Sequence, residues 1–309
     1  MATATKDPQS LMRARPAVAV VVPFRGDLAD AERLRSALGR LNLSDADEVV
    51  VADNSVSGEA RQLDGEPVRV VRATRERSAY HARNDGARVA TGDWILFLDA
   101  DCRPVPDLLD LYFGGPIRDE CGALAGQILG EPEQHSLAAR YARSRRLFDH
   151  ADGLIHADQG GAAAGNLLVR RTAFEEVGGF AEGIRSGGDL DLCRRLQATG
   201  WRLEFRPHAV VHHRHRTTLP SLLGAIARYG AGARWLNERY PDSSPPWPLR
   251  LGLASTIRDV AGRLRRGQLE EAKLRGIDGL GLVAHRAGYA ARNRAGRIKS
   301  IRIHLSDTD

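Results

Sequence analysis

The sequence predicts an α/β protein built on a mainly parallel, doubly wound, Rossmann-like sheet with helices on both faces. Short β-branched runs such as VAVVVP and VVVA have the length and composition of buried strands. Segments of helical length separate these runs, and such alternation is typical of parallel sheets with crossover helices. Several strands end in polar residues, at the edge where such sheets bind ligands.

The first hundred residues alternate strand and helix patterns. The segment 29–41 places Leu34, Leu38 and Leu41 on one helical face. The helical segment 78–90 is stopped by the sequence TGD, and an apolar run follows it. This half therefore predicts helices at 29–41 and 78–90 and strands at 17–23, 47–55, 67–73 and 94–98.

The second half of the chain is less regular. Its predicted helix at 219–240 contains Gly230 and Gly232, where a kink is the expected consequence. Basic helices, one or two in number, follow residue 248. The other predicted elements are helices at 136–150 and 187–201, a strand at 121–130, a strand followed by a short helix within 161–180, and one or two strands within 202–216.

Composition divides the 309 residues into four parts. With 42% hydrophobic residues the chain can bury a sizeable core. Residues 1–15 lack the apolar middle of a signal peptide and predict a disordered lead-in. Residues 16–240 form the main domain, 241–248 a proline-rich linker, and 249–309 a basic helical extension.

Charge and cysteine content indicate the surroundings of the protein. The extension holds 13 Lys/Arg and 6 Asp/Glu, which accounts for the net charge of +6. A basic end on a neutral body favours an attachment surface over nucleic-acid binding. Peripheral contact with the inner face of the cell membrane is one interpretation; a packing helix or an oligomer contact is the other. Three cysteines without metal-type spacing suit the cytoplasm, and no run of about 18 apolar residues predicts a membrane span.

Asp99 and Asp101 directly follow the predicted strand 94–98. Two carboxylates at positions i and i+2 can point at one cation, and oxygen ligands suit Mg²⁺ or Mn²⁺ together with substrate phosphates. The alternative is a pair of turn residues that cap the following helix. Because these aspartates directly follow a buried strand, the metal-site interpretation and the turn interpretation have equal support.

Asp189 and Asp191 open the predicted helix 187–201. Aspartate at a helix start is favoured as an N-cap and by the helix dipole, which explains one of the two. A carboxylate held at a helix start in a cleft can instead act as a general base. Both interpretations remain open from these residues alone.

Two further groups of polar side chains could reach the same edge of the sheet. Histidines cluster in the segment 202–216, at positions 208, 212, 213 and 215. An imidazole there could complete a metal shell, or the cluster could be a solvated basic strand end. Arg83 and Asn84 lie near the polar face of the helix 78–90, where arginine could hold a phosphate or remain a surface charge.

Taken in order, these motifs resemble the family 2 glycosyltransferases, which have the GT-A fold. The resemblance covers about residues 17–235, and six motifs in the same order make it specific. It implies an inverting, metal-dependent glycosyltransferase that moves a sugar from a nucleotide-diphosphate donor to an acceptor hydroxyl. The matching segments are VAVVVPF, VVVADNS, ARNDGARVATGDWILFLDADCRP, GNLLVRRTAFEEVGGF, GGDLDLCRRLQATGW and AVVHHRHRTTL.

The resemblance implies which residues bind the nucleotide sugar. The backbone near Pro23 and Phe24, together with Asp53, is expected to hold the base and ribose. Arg83 and Asn84 match the ARN helix of the family and are expected to line the same pocket. UDP-sugars are favoured by their prevalence in the family, with GDP and dTDP open, and the acceptor is a glycan, a lipid-linked molecule or a small molecule.

The resemblance also implies the metal ligands and the base. The D-x-D motif is Asp99-Ala100-Asp101, with Asp101 on a divalent cation, Mn²⁺ or Mg²⁺, and Asp99 and Ala100 nearer the ribose and diphosphate. His213 most nearly matches a histidine that the family places near the metal. Asp189 matches the general base.

Two positions depart from the family pattern. Gly188 stands where the family has the Glu of a Glu-Asp pair, so Asp191 could share the role of base with Asp189. The second strand ends in ADNS and not in two acids, which weakens the usual ribose contact.

Two other functions are compatible with paired aspartates on such a sheet. A nucleotidyltransferase would make the nucleotide sugar, but that class usually has a glycine-rich basic loop where this chain has only PFRGD. A non-catalytic nucleotide-sugar-binding module is the second alternative, and Gly188 is the feature in its favour.

Overall fold

The computed structural model describes residues 15–149, 160–246 and 248–297. Its strands are β1 (Val18–Phe24), β2 (Glu48–Asp53), β3 (Val68–Arg72), β4 (Trp94–Leu98), β5 (Cys102–Pro104), β6 (Cys121–Gly130), β7 (Asn166–Arg170) and β8 (Arg202–His213). Its helices are α1 (Leu28–Leu38), α2 (Ala79–Val89), α3 (Leu108–Tyr112), α4 (Leu137–Ser144), α5 (Arg171–Glu176), α6 (Gly188–Ala198), α7 (Leu219–Arg239), α8 (Leu249–Arg265) and α9 (Leu269–Tyr289).

The eight strands form one sheet in the order β3-β2-β1-β4-β7-β6-β8-β5. The four strands β3, β2, β1 and β4 are parallel, as predicted. The other half is mixed, because β7 runs antiparallel to both β4 and β6, and β5 runs antiparallel to β8. The α/β class is therefore confirmed, while the parallel arrangement is restricted to the first half and to the β6–β8 pair.

Helices cover both faces of the sheet, as the doubly wound prediction requires. Successive residues of a strand point to opposite faces, so Val18, Val20 and Val22 belong to one core and Ala19 and Val21 to the other. Side chains of α1 and α3 complete the first core, and those of α2, α5 and α6 complete the second. This packing fixes the sheet edge at which the polar residues after β1, β2 and β4 lie.

The last helix of the basic extension, α9, packs onto the main domain. The helix α9 crosses α7 at Gly230 and Gly288, where an added Cβ atom would lie 2.1 Å from the carbonyl oxygen of His285 and 1.8 Å from that of Ala227. The glycines of α7 therefore allow two helices to approach closely, and the helix runs without a break from Leu219 to Arg239. The expected kink is not needed to explain them.

The two ends of the described chain are also held by contacts. Arg15, at the end of the predicted lead-in, pairs with Asp47 at 2.5 Å and with Asp110 at 2.7 Å; the preceding residues of the lead-in lie outside the described residues. After α9 the chain returns to the main domain, where the backbone of Ala295 donates to Gly183 at 2.8 Å. Among the described residues, no helix has the combination of length and apolar character that a bilayer span requires.

Candidate active site

Three of the predicted site residues converge at one edge of the sheet. Ligand atoms of Asp99, Asp101 and His213 all lie within 4.8 Å of one another. The aspartates follow β4, whereas His213 ends β8 and reaches them because β8 pairs with the short strand β5, in register with Cys102. The Nε2 atom of His213 is 3.4 Å from the Oδ1 atom of Asp101. Residues from distant parts of the chain therefore form one cluster.

This cluster has the donor set that a divalent cation requires. Two carboxylates and an imidazole suit Mn²⁺, and the oxygen ligands suit Mg²⁺. The side chain of Asp101 is partly exposed, and within the described ranges its one side-chain partner is His213. A carboxylate with so few protein partners retains the capacity to bind a cation.

Arg83 fixes the second carboxylate of the cluster. Its guanidinium is buried, hydrogen-bonds to Asp99 and lies 5.6 Å from the ring centres of both Tyr80 and Phe180. Flanking rings attract a cation and restrict its orientation. Gly165 lies on the other side of Asp99, since an added Cβ there would approach the Oδ2 atom to 3.0 Å. The position of Asp99 is therefore set from both sides.

Asp189 stands at the start of α6, within reach of the same network. The hydroxyl of Tyr80 donates to its Oδ1 atom at 3.3 Å. Burial raises the pKa of Asp189, and the charge of Arg83 partly opposes this shift. Contacts therefore run from Asp189 through Tyr80 and Arg83 to Asp99.

The structure explains the glycines that precede Asp189. Gly187 has φ +86°, in the left-handed region that favours glycine, and it turns the chain into α6. An added Cβ at Gly188 would lie 2.9 to 3.0 Å from atoms of the Tyr80 ring. The ring of Tyr80 thus fills the space beside position 188, which accounts for glycine at a position where the family pattern has Glu.

Asp191 has different surroundings from Asp189. Its side chain is fully buried and accepts hydrogen bonds from Arg195 at 2.8 Å and from Tyr240 at 2.9 Å, with Arg239 at 2.8 Å as a further ion pair. These partners join α6 to the end of α7. Asp191 as a second base stays a prediction, and these contacts favour Asp189 because the oxygens of Asp191 already have cations and a hydroxyl as partners.

Several predicted nucleotide-binding residues are buried or hydrogen-bonded to protein groups. Pro23 and Phe24 end β1 and are buried. Asp53 accepts hydrogen bonds from the Ser55 backbone at 2.9 Å and from Arg72 at 2.6 Å. Its carboxylate thus holds the loop that follows β2.

Asn84 and Ala100 complete the set of predicted contacts. Asn84 donates to the Phe180 carbonyl and accepts from the Phe180 backbone N–H, each at 2.9 Å. This residue positions the loop that carries Phe180, the ring beside Arg83. Ala100 lies in the turn between the two aspartates and is partly exposed.

The structure distinguishes among the clustered histidines. His215 is buried, its Nδ1 atom lies 3.2 Å from the Nδ1 atom of His213, and burial lowers its pKa to about 4, so it is neutral. His212 lies in register with Arg103 on β5, and burial lowers its pKa. His208 is exposed. His213 is the histidine that reaches the aspartates, with His215 behind it.

Three aromatic residues of the site were not predicted from the sequence. Tyr80 lies one helical turn before Arg83 on α2, and this i, i+3 spacing is the signal that could have identified it. Phe148 packs 5.0 Å from His213 and 5.9 Å from Tyr229. Phe148 falls in the predicted helix 136–150, but α4 ends at Ser144 and Phe148 has φ +74°, which no local pattern indicates.

Comparison with known proteins identifies relatives of this chain. A family model described as glycosyl transferase family 2 matches residues 19–178. The pre-mycofactocin glycosyltransferase of Mycobacterium tuberculosis is 31% identical over 236 residues, which cover 74% of this chain and 49% of the relative. Glycosyltransferase AglE of Haloferax volcanii is 23% identical over 234 residues, covering 72% and 76%. The chain thus spans about half the length of the mycobacterial relative.

Solved structures of similar fold include metal and nucleotide complexes. The mannosyltransferase PcManGT from Pyrobaculum calidifontis, in complex with GDP-Man and Mn²⁺, has a TM-score of 0.58 and 21% identity, covering 89% of this chain and 74% of that chain. GalNAc-T7 with UDP, GalNAc and Mn²⁺ has a TM-score of 0.53 and 16% identity, covering 78% and 51%. These similarities confirm the GT-A type of fold.

Proposed function

Since the chain belongs to glycosyl transferase family 2, we propose that it is an inverting, metal-dependent enzyme that transfers a sugar from a nucleotide-diphosphate donor to an acceptor hydroxyl. The observation that carries this proposal is the convergence of Asp99, Asp101 and His213 at one sheet edge, connected to Asp189 through Arg83 and Tyr80. The two structural neighbours hold GDP and UDP compounds. UDP and GDP are therefore the first nucleotides to test, with dTDP next.

Asp101, Asp99 and His213 are the residues that would hold the divalent cation. Bound there, Mn²⁺ or Mg²⁺ would supply positive charge to the leaving diphosphate. Arg83 keeps Asp99 in place from the protein side. Pro23, Phe24, Asp53, Asn84 and Ala100 shape the pocket beside it.

Asp189 is the proposed general base. It takes the proton of the acceptor hydroxyl while that oxygen attacks the anomeric carbon on the face opposite the diphosphate, which inverts the configuration. Tyr80 orients the carboxylate by its hydrogen bond. The raised pKa of Asp189 makes it a stronger base than an exposed aspartate.

A ligand screen tests this function directly. Thermal unfolding of the full chain is measured with UDP, GDP or dTDP, each with Mn²⁺, with Mg²⁺ or with EDTA. We expect one nucleotide to raise Tm in a metal-dependent way, because a ligand of the native state stabilises it by mass action. The matching nucleotide sugar should then be hydrolysed slowly, and only with metal.

The two alternatives predict other outcomes. Pyrophosphate release from a nucleoside triphosphate and a sugar phosphate would support a nucleotidyltransferase. Metal-dependent binding without any hydrolysis or transfer would support a binding module. Either result overturns the proposed transferase activity.

The outer face of α8 supports a peripheral contact with the cytoplasmic face of an anionic membrane. Leu251, Ile257 and Leu264 are 76%, 69% and 50% exposed, and the acidic residue of α8, Asp259, is paired with Arg275 on α9. Exposed arginines at positions 250, 258 and 265 flank these apolar side chains. Exposed apolar side chains that alternate with arginines around one side of a helix can contact both the acyl region and the headgroups of an anionic membrane.

Vesicle flotation tests this contact. We expect the full chain to float with phosphatidylglycerol vesicles but not with phosphatidylcholine vesicles, and the Ile257→Ser/Leu264→Ser variant to lose this binding. Sedimentation without lipid distinguishes the remaining interpretations. A dimer that the same variant abolishes would identify the face as an oligomer contact, and an unbound monomer would identify it as a solvated surface.

A further inference from the structure

Five arginines border the candidate site without a carboxylate partner. Arg25 follows β1, Arg77 precedes α2, Arg185 lies four residues before Asp189, Arg216 follows the histidine pair, and Arg228 is on α7. In the described part of the chain none of their guanidiniums forms an ion pair, although most other arginines of the domain do. We call these residues the arginine group.

Backbone contacts connect the three segments that carry Arg77, Arg185 and Arg228. Asn293, after α9, accepts from the backbone N–H of Arg185 at 3.1 Å, and the backbone N–H of Arg77 donates to Gly296 at 2.7 Å. The segment 293–296 therefore joins the loop of Arg185 to the start of α2. On its other side the loop contacts α7, because an added Cβ on Gly232 would lie 2.8 Å from Ser186. Arg228 is one turn before that contact.

The same residues repel one another. Burial and the charges of Arg77 and Arg185 lower the pKa of Arg25. Burial lowers the pKa of Arg228, with further lowering by Arg216 and Arg185. Arg185 thus affects the pKa of both Arg25 and Arg228. Uncompensated positive charges at close range are unfavourable unless an anion binds among them.

Nearby protein carboxylates do not supply that anion. Glu76 accepts a hydrogen bond from the backbone of Gly183 at 2.8 Å, and Glu182 accepts one from Asn84 at 3.0 Å and pairs with Arg75. Asp189 and Asp99 are engaged with Tyr80 and Arg83. Asp101 has His213 as its side-chain partner. Among the described residues no carboxylate is paired with the arginine group, so a ligand is a source of the missing negative charge.

The position of the group indicates which substrate supplies the anion. The loop of Arg185 leads directly into α6 and the proposed base, which must contact the acceptor. Arg228 is adjacent to Tyr229, whose ring lies 5.9 Å from Phe148, itself 5.0 Å from His213. Arg185 therefore lies on the acceptor side of the site, beside the proposed base, and Arg228 lies on the helix that contacts the same loop.

We propose that the arginine group binds a phosphate or carboxylate group of the acceptor, so that the acceptor of this enzyme is an anionic molecule. The proposal rests on the proposed function and adds the chemical class of the second substrate. Guanidinium groups bind phosphate and carboxylate through paired N–H donors and do not lose their charge. The donor diphosphate is the other anion that could occupy these arginines.

Anion binding by variants of the full chain tests the proposal. Inorganic phosphate is titrated in metal-free buffer at constant ionic strength while thermal unfolding is followed, and the nucleoside diphosphate identified above is titrated with Mn²⁺. The variant is Arg185→Gln/Arg228→Gln, and the control with the same charge change is Arg40→Gln/Arg118→Gln, at exposed arginines elsewhere. We expect the variant to bind phosphate at least tenfold more weakly, with nucleotide affinity within twofold of wild type, and the control to match wild type.

Any one of several outcomes would overturn the proposal. They are the absence of phosphate stabilisation in the wild type, unchanged phosphate affinity in the variant, and an equal loss of nucleotide affinity, which would assign the arginines to the donor. Saturating nucleotide with Mn²⁺ should leave phosphate binding in place, and competition between the two would also assign the arginines to the donor. An Arg185→Lys variant keeps the positive charge. Near-normal phosphate affinity in that variant would confirm that the loss in the glutamine variant comes from the missing charge and not from a change in the fold. Failure of nucleotide binding in the wild type would instead refute the proposed transferase.

Discussion

The sheet edge after β4 and the junction between α6 and α7 both contain aspartates, but the carboxylates of the two regions differ in burial and in their partners. At the junction, Asp191 is fully buried and contacts Arg195, Arg239 and Tyr240. At the sheet edge, Asp101 is partly exposed and has His213 as its side-chain neighbour. The partners of a carboxylate therefore indicate whether it supports the fold or is available to a ligand.

The physical reason for this difference is the cost of burying charge. A fully buried carboxylate is tolerated when cations and hydrogen-bond donors satisfy it, and such a group cannot also take up a proton or a metal ion. Helix geometry separates Asp189 from Asp191, because residues two apart do not share a helical face. Asp189 therefore faces Tyr80, while Asp191 faces the end of α7.

Replacing the proposed base should have the largest effect on catalysis. In Asp189→Asn the acceptor hydroxyl loses its proton acceptor, and we expect kcat for sugar transfer to fall by about 10²–10⁴. Tm should stay near that of the wild type, because the Asp189 carboxylate accepts from the Tyr80 hydroxyl and the Leu190 backbone through one oxygen, which Asn also provides. Full activity of a folded Asp189→Asn enzyme would refute the assignment.

Replacing the aspartate proposed to bind the metal should have the next largest effect. We expect Asp101→Asn to lose about 10²–10³ in transfer rate, because the leaving diphosphate is no longer stabilised to the same extent. Metal-dependent stabilisation by the nucleotide should be lost with it. Asp45→Asn, an exposed aspartate before β2, is the matched control and should behave as wild type.

A substitution at the junction between α6 and α7 should lower the stability of the fold and leave the transfer activity nearly unchanged. Asp191→Asn leaves Arg195 and Arg239 without their buried counter-charge, and we expect a loss of about 3 kcal/mol in the free energy of unfolding. Chemical denaturation measures this loss. Transfer activity per folded molecule should change less than twofold, and a 100-fold loss with unchanged stability would contradict the structural role.

The smallest effect concerns the pH dependence of the base. Since the pKa of Asp189 is raised by burial, kcat should fall as pH drops through a value above that of an ordinary aspartate, because only the ionised carboxylate accepts a proton. Tyr80→Phe removes a donor that favours the ionised form. The acidic limb of the kcat profile should therefore move to higher pH, with a loss of a few-fold near neutral pH. An unmoved limb would show that Tyr80 does not act on Asp189.

The sequence alone determined the features that depend on local pattern. Apolar runs of strand length predicted β4 and β6 with the observed bounds, because a buried strand must be continuously apolar. The aspartates after β4 and the start of α6 followed from the same patterns. Six motifs in the same order then indicated the family.

Tertiary structure decided the features that depend on contacts between distant segments. The reversed direction of β7, the choice of His213 among the histidines, and the ring of Tyr80 beside Gly188 all arise from packing across the sheet. The same holds for Asp189 and Asp191, whose partners come from α2 and α7. The arginine group is the clearest case. Its five residues lie in five separate segments, so their positive charges come close enough to repel one another only after the chain has folded.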